Sequence, residues 1–390
     1  MAIVKIGLEV LENNGFKGII DARVGLLVHP ASVDSEWRPT RHLLAKAGVN
    51  VCALFGPQHG ILGQTQDNMI EWEGYRDPDT GIPVYSLYGE HRKPAPHMLE
   101  NIDVLVIDLQ DIGARYYTFI WTMLLCLEAC AESGTKVVIL DRPNPIGGLR
   151  TEGTVLDENY CSFVGLAAIP MRHAMTIGEL ADLFAKTRQL DVEYEVISMT
   201  GWRREMSFAD TGLPWVMPSP NMPTLDTAWV YPGGCLLEGT TLSEGRGTTR
   251  PFEIFGAPYV EPDKFVAKLN DFGFEGCYLR PLHFEPTFHK HAGKVCGGVQ
   301  VHVTDPTIFE SVNLYSTAIA VINEYWPAEF GWKQPPYEYE SVKLPIDILS
   351  GGVKWRALVE GGATPEQMKT QWSAPLAEFD DLAGGFLRYG

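Results

Sequence analysis

Val104-Leu105-Val106-Ile107 is an unbroken apolar run. Asp108-Leu109-Gln110-Asp111-Ile112-Gly113-Ala114-Arg115 follows it without a spacer. A short β-branched run that stops on a polar motif reads as a strand buried on both faces, as in parallel sheets. The same construction recurs three times. Val24–Val28 leads into His29-Pro30-Ala31-Ser32, Val51–Phe55 into Gly56-Pro57-Gln58-His59-Gly60, and Val137–Leu140 into Asp141-Arg142-Pro143-Asn144-Pro145. Helical patterns lie between them: Pro39–Ala47, with Pro39 in its first turn, and Tyr116–Ser133, stopped by Gly134. Strand–helix alternation predicts an α/β fold with a mostly parallel, Rossmann-like sheet. Ligands of such sheets bind beyond the carboxyl ends of the strands. Four motif loops there would bring His, Asp, Gln and Arg side chains to one edge, the pattern of an enzyme.

Composition narrows the class. The chain has 390 residues, 45% hydrophobic and 21% charged, which is ordinary for a globular protein. Its formal net charge of −18 and the lack of a Lys/Arg cluster argue against nucleic acid as a partner. No apolar run approaches the roughly 18–20 residues needed to span a bilayer, so no membrane role is expected. The first residues, Met1 to Val10, lack the unbroken apolar stretch of a secretory signal, and a cytoplasmic location is expected. Seven cysteines without a CxxC pair read as free thiols, with Cys126 and Cys130 sharing one helix face.

A dinucleotide fold would carry GxGxxG after its first strand; His29-Pro30-Ala31-Ser32 stands there instead, so NAD and FAD are rejected and no cofactor is expected. No metal is expected either: His283, His289 and His291 lack a tight ligand spacing with neighbouring acids. Residues 62–80 read as a long functional loop. Thr176-Ile177-Gly178-Glu179 is a capping box opening a helix to about Thr187. The Gly- and Pro-rich stretch 214–258 reads as irregular backbone rather than helix. From about Phe265 the pattern becomes α+β, with a strand over Gly298–Thr304 and a helix over Thr307–Tyr325. The expected division is 1–260 for the parallel-sheet domain and 261–390 for a smaller α+β subdomain closing the cleft.

The motif loops are rich in carboxylates: Asp108, Asp111, Asp141, Glu238, Glu244 and Glu253. Paired carboxylates are the usual equipment for cleaving glycosidic bonds. Arg115, Arg142, Arg246 and Arg250 accompany them, and a guanidinium suits a two-pronged grip on a carboxylate. Trp72, Tyr75, Tyr116, Tyr117 and Trp121 offer faces for sugar rings. The combination suits an acidic sugar. Plainer readings compete: Asp141 and Asp108 as caps of backbone amides, Tyr116 or Tyr117 as core, Arg246 as a loop brace between two glycines.

Six segments carry a family resemblance: Phe55-Gly56-Pro57-Gln58-His59-Gly60, Asp108–Tyr117, Leu140–Pro145, His173–Leu180, Pro218–Pro223 and Glu238–Glu253. In order and spacing they resemble the exo-β-N-acetylmuramidases, glycoside hydrolases of peptidoglycan recycling first catalogued as a domain of unknown function. The resemblance implies release of terminal N-acetylmuramic acid from a peptidoglycan-derived sugar or muropeptide. It also implies a site in a cleft against a C-terminal subdomain. The N-acetyl group beside the anomeric carbon permits a substrate-assisted route. Three positions depart from the family pattern: Gln58 stands where the family has Glu, Ala174 where it has Gly, and Thr241 where it has Asn. Gln cannot serve as a general acid or base near neutral pH.

Glu244, Asp111 and His59 are therefore the expected catalytic groups. His29, Gln58, Asp108, Gln110, Arg115, Tyr116, Arg142, Asn144, His173, Asn221, Arg246 and Arg250 are expected to bind substrate. Two readings compete with an active muramidase: a non-catalytic sugar-binding protein that lost its chemistry at Gln58, and a hydrolase or transferase of shifted specificity.

Overall fold

The computed structural model describes residues 4–66 and 69–390. Its strands in chain order are β1 (Arg23–Val28), β2 (Asn50–Gly56), β3 (Tyr75–Arg76), β4 (Pro83–Ser86), β5 (Val104–Asp108) and β6 (Lys136–Leu140). β7 (Glu152–Val155), β8 (Pro170–Arg172), β9 (Tyr194–Ile197), β10 (Ile254–Ala257), β11 (Cys277–Phe284) and β12 (Cys296–Val303) follow. The large sheet has the order β3-β4-β2-β1-β5-β6-β9, and all its neighbours run parallel except β3 against β4. Numbered along the chain, its six parallel strands lie 3-2-1-4-5-6, the doubly wound order whose switch point falls between the first and fourth strands, here β1 and β5. Val24 pairs with Val104 and Val28 with Asp108, so the loops after both strands leave at the same level.

The α/β fold expected from the four runs is present, and local signals worked where they were strong. The helix Phe119–Ser133 is stopped by Gly134 at φ 70°. The capping box is formed: Thr176 Oγ1 accepts from the Glu179 amide at 3.2 Å and Glu179 accepts from the Thr176 amide at 2.9 Å. Phe119–Ser133 and Ile177–Thr187 bury their apolar residues with the strand residues Ile107 and Ile139 in one large core.

The stretch 214–258 departs from expectation, because Leu225–Gly234 is a helix followed by a 3₁₀ turn to Gly239. Thr224 caps it and Asp226 lies in its first turn. Its glycines are there for packing: a Cβ on Gly233 would lie 2.2 Å from the Ser311 carbonyl oxygen. The helix thereby lies directly against the buried helix Ser311–Tyr325, and the Gly233 amide donates to Ser311 Oγ at 2.9 Å.

A second sheet, β10-β12-β11, is antiparallel. It begins at Ile254, ahead of the boundary expected at residue 260. A third, β7-β8, has two strands. No helix among the described residues is long and apolar enough to cross a membrane.

Candidate active site

The motif loops after β1, β5 and β6 meet at the carboxyl edge of the large sheet and form a closed knot there, while the loop after β2 lies to one side. Arg142 Nε donates to Asp108 Oδ1 at 2.5 Å and Nη2 to Asp108 Oδ2 at 2.9 Å, with a further bond from Nη2 to the Val33 carbonyl. Both side chains are buried. His29 Nε2 accepts from the Gln110 amide at 2.9 Å, which leaves Nδ1 to donate to the Pro218 carbonyl at 3.2 Å. That ring is neutral: burial, then the nearby Arg142 charge, pushes its pKa down to about 3. Gln110 Nε2 donates to the Asp111 and Pro143 carbonyls, and Asn144 Nδ2 to that of Met175. Asp141 accepts from the Gly178 amide and Thr176 Oγ1, the capping role weighed for it above.

Asp111 accepts from the Gly113 amide at 2.7 Å and lies 3.1 Å from His173 Nε2. His173 Nδ1 accepts from the Met175 amide, so Nε2 carries the proton facing Asp111. Arg115 donates to the carbonyls of Thr154, Ile169 and Leu349, bracing β7, β8 and a C-terminal helix (Pro345–Ser350) against one another.

The open space lies to one side. A cleft of about 500 Å³, counted to its solvent-facing mouth, is lined by Gln58, His59, Tyr116, Thr118, Ser219, Asn221, Tyr231, Glu238, Arg246, Tyr337 and Glu338, among others. The loop after β2 brings Gln58 and His59. The 3₁₀ turn and the loop after it bring Glu238 and Arg246. A hairpin near the C-terminus brings Tyr337 and Glu338.

Glu338 is the unusual member. Tyr337 and Glu340 exchange backbone hydrogen bonds, so Glu338 and Tyr339 form a two-residue hairpin turn. Their φ angles are 44° and 67°. Asn-Gly normally fills such a turn, and a non-glycine residue in this region costs on the order of 1–3 kcal/mol. The Glu338 side chain is 3% exposed. Its Oε2 accepts from Tyr88 Oη at 2.8 Å and its Oε1 from Gln58 Nε2 at 3.3 Å, while Gln58 Oε1 accepts from Thr118 Oγ1 at 2.7 Å. Burial raises its pKa to about 7, and the nearby Glu238 charge adds to the rise against the two hydrogen bonds.

Glu238 has the opposite character. Burial works against its charge, but Arg246 Nη2, donating at 2.8 Å, and Tyr337 Oη, donating at 2.7 Å, hold it below the usual carboxylate range. Arg246 sits between Gly245 at φ 79° and Gly247 at φ 81°; a Cβ on Gly245 would meet the Ile254 carbonyl at 2.3 Å. Its Nε lies 3.4 Å from Glu244, which also meets Lys290 Nζ at 2.9 Å and His289 Nδ1 at 3.0 Å. Glu244 is fully buried, and the Lys290 charge foremost, with the His289 hydrogen bond and the Arg246 charge, overcomes the penalty of burial and keeps it ionised.

Two family descriptions match: exo-beta-N-acetylmuramidase NamZ, N-terminal, over residues 24–226, and its C-terminal counterpart over residues 229–389. The chain is 42% identical to the peptidoglycan beta-N-acetylmuramidase NamZ of Bacillus subtilis (strain 168) over 387 residues, covering 99% of this chain and 91% of that protein. The chain belongs to the exo-β-N-acetylmuramidase family. Two crystal structures of DUF1343 family proteins from Bacteroides fragilis share the fold. One has a TM-score of 0.91 at 35% identity with both chains fully covered; the other has 0.78 at 28% identity with 99% of each covered.

In this exo-β-N-acetylmuramidase, the cleft brings together five of the residues expected from sequence: Gln58, His59, Tyr116, Asn221 and Arg246. Glu244 and Asp111 lie behind its walls. His29, Asp108, Gln110, Arg142, Asn144 and His173 lie in the knot, and Arg115 is the brace described above. Arg250 is partly exposed and pairs with Glu253 at 3.2 Å and Asp226 at 3.6 Å. Glu338 was missed, as were Tyr88 and Tyr337. No group of three or more His, Cys, Asp or Glu among the described residues is placed to hold a metal ion.

Proposed function

We propose that this chain hydrolyses the glycosidic bond of a terminal N-acetylmuramic acid residue in peptidoglycan fragments, with Glu338 as general acid. The observation that carries this is the set of Glu338 partners. A buried carboxyl whose hydrogen-bond partners among the described residues are an amide and a phenol keeps its proton near neutral pH, which suits an acid catalyst. Glu338 thus supplies the acid that Gln58 cannot be, and Gln58 positions it.

The reaction follows the substrate-assisted route. The Glu338 carboxyl gives its proton to the glycosidic oxygen as the bond from that oxygen to the anomeric carbon breaks. The acetamide carbonyl oxygen of the muramic residue attacks the anomeric carbon, forming an oxazolinium ion. Glu238, held ionised by Arg246 and Tyr337, faces the acetamide N–H and stabilises the positive charge. Water then adds to the anomeric carbon and returns a proton to the Glu338 carboxylate, restoring both groups. His59, Ser219 and Asn221 supply polar contacts for the sugar hydroxyls and the lactyl group. Glu244 acts through Arg246, and Asp111 holds the Gly113 turn and the His173 ring behind the cleft.

The binding-protein reading is not favoured, since the Bacillus relative is named as a muramidase and an acid is present in the cleft. Seven free cysteines, four of them buried, support a reducing compartment. The test is release of free N-acetylmuramic acid from a disaccharide of that sugar β-linked to N-acetylglucosamine. Wild type should release it and Glu338→Gln should not; equal rates would remove Glu338 from the chemistry.

A further inference from the structure

The turn that carries Glu338 into the cleft carries Tyr339 to its rim. Glu338 is 3% exposed and Tyr339 42%. Tyr339 is nonetheless fixed. The Arg92 guanidinium lies 4.0 Å above its ring centroid, and Tyr88 and Phe163 meet it in edge-type contacts at 5.6 Å and 6.0 Å. Tyr88 is the same residue that donates to Glu338, so acid and rim share one support. A half-exposed tyrosine clamped on three sides is preorganised for contact, because little freedom remains to be lost on binding. Its backbone makes the same point. At φ 67° a glycine or asparagine would cost less, and a bulky ring persists there only because its surroundings impose it.

We infer that Tyr339, held by Arg92, is the platform for the leaving-group sugar. This rests on Glu338 being the general acid. The oxygen that receives its proton joins two rings: the muramic ring lies within the cleft, and the departing ring must lie on the outward side of the acid. Tyr339 follows Glu338 in the chain and is partly exposed where Glu338 is buried, and its ring offers the apolar surface on which a pyranose packs, with its hydroxyl held by Glu71 and Arg92.

The test separates rim from cleft. Free N-acetylmuramic acid fills only the cleft; the disaccharide to N-acetylglucosamine fills both. Tyr339→Asn removes the ring and suits the positive φ, so the turn is kept; Tyr339→Phe keeps the ring. Tyr339→Asn should raise KM for the disaccharide roughly tenfold and leave inhibition by the free sugar unchanged, with Tyr339→Phe close to wild type. An unchanged KM would overturn the inference, and so would equal weakening of disaccharide and free sugar. If wild type hydrolyses nothing, the functional reading fails instead. Calorimetric binding of the two sugars to wild type and Tyr339→Asn then still decides the rim.

Discussion

The sheet edge and the cleft use similar side chains to opposite ends. At the edge, Asp108 closes on Arg142, and the buried carboxylate is matched by a full positive charge. In the cleft, Glu338 closes on an amide and a phenol, which are neutral. A carboxylate paired with a cation is locked in one protonation state and serves as scaffold. A carboxyl buried among neutral donors keeps a proton that it can give away. Glu238, paired with Arg246, belongs to the first kind although it faces the cleft, which fits a group that must stay charged.

Substitutions sharpen this contrast. Glu338→Gln removes the transferable proton and should lower kcat on the disaccharide by about 10²–10⁴-fold, the usual worth of general acid catalysis. A 4-nitrophenyl N-acetylmuramide, whose leaving group needs little protonation, should lose much less. Equal losses on both substrates would deny Glu338 that role. Arg142→Ala leaves Asp108 buried without its cation and should destabilise the fold by about 3–5 kcal/mol in urea unfolding. Turnover per folded molecule should change little, and a selective loss of turnover would move the knot into the active site.

Gln58→Glu places a second carboxyl against Glu338. Two carboxyls sharing a site resist joint ionisation, so the alkaline limb of the pH–rate profile should move up by about one unit or more with hydrolysis retained. A downward shift would contradict the contact between positions 58 and 338. The smallest effect concerns Glu152, whose pKa burial raises to about 7. Its contribution to stability is complete below the ordinary carboxylate pKa and is lost as pH rises through about 7. Glu152→Gln should therefore flatten part of the fall in Tm between pH 5 and pH 8.

The fold was legible because its signals are local. A β-branched run, a capping box or a glycine after a helix acts within a few residues, and the strands, the Thr176–Glu179 box and Gly134 were found that way. The helix Leu225–Gly234 was obscured because its glycines answer a distant demand, contact with Ser311. The site was legible only in part for a related reason. Motif loops after strands do converge, but sequence does not reveal whether an Asp meets a cation and becomes inert or meets neutral groups and stays reactive. Glu338 lies 280 residues from Gln58, in a turn without the Gly, Asn or Asp that marks turns. Only the departure at Gln58 hinted that the acid comes from elsewhere.

The most direct test is the pH dependence of kcat/KM for hydrolysis of the disaccharide of N-acetylmuramic acid β-linked to N-acetylglucosamine, compared between wild type and Glu338→Gln. In wild type the rate should be level through mildly acidic pH and fall above about 7, as Glu338 loses its proton. In Glu338→Gln the residual rate should show no such fall. The same alkaline limb in both proteins would contradict the account.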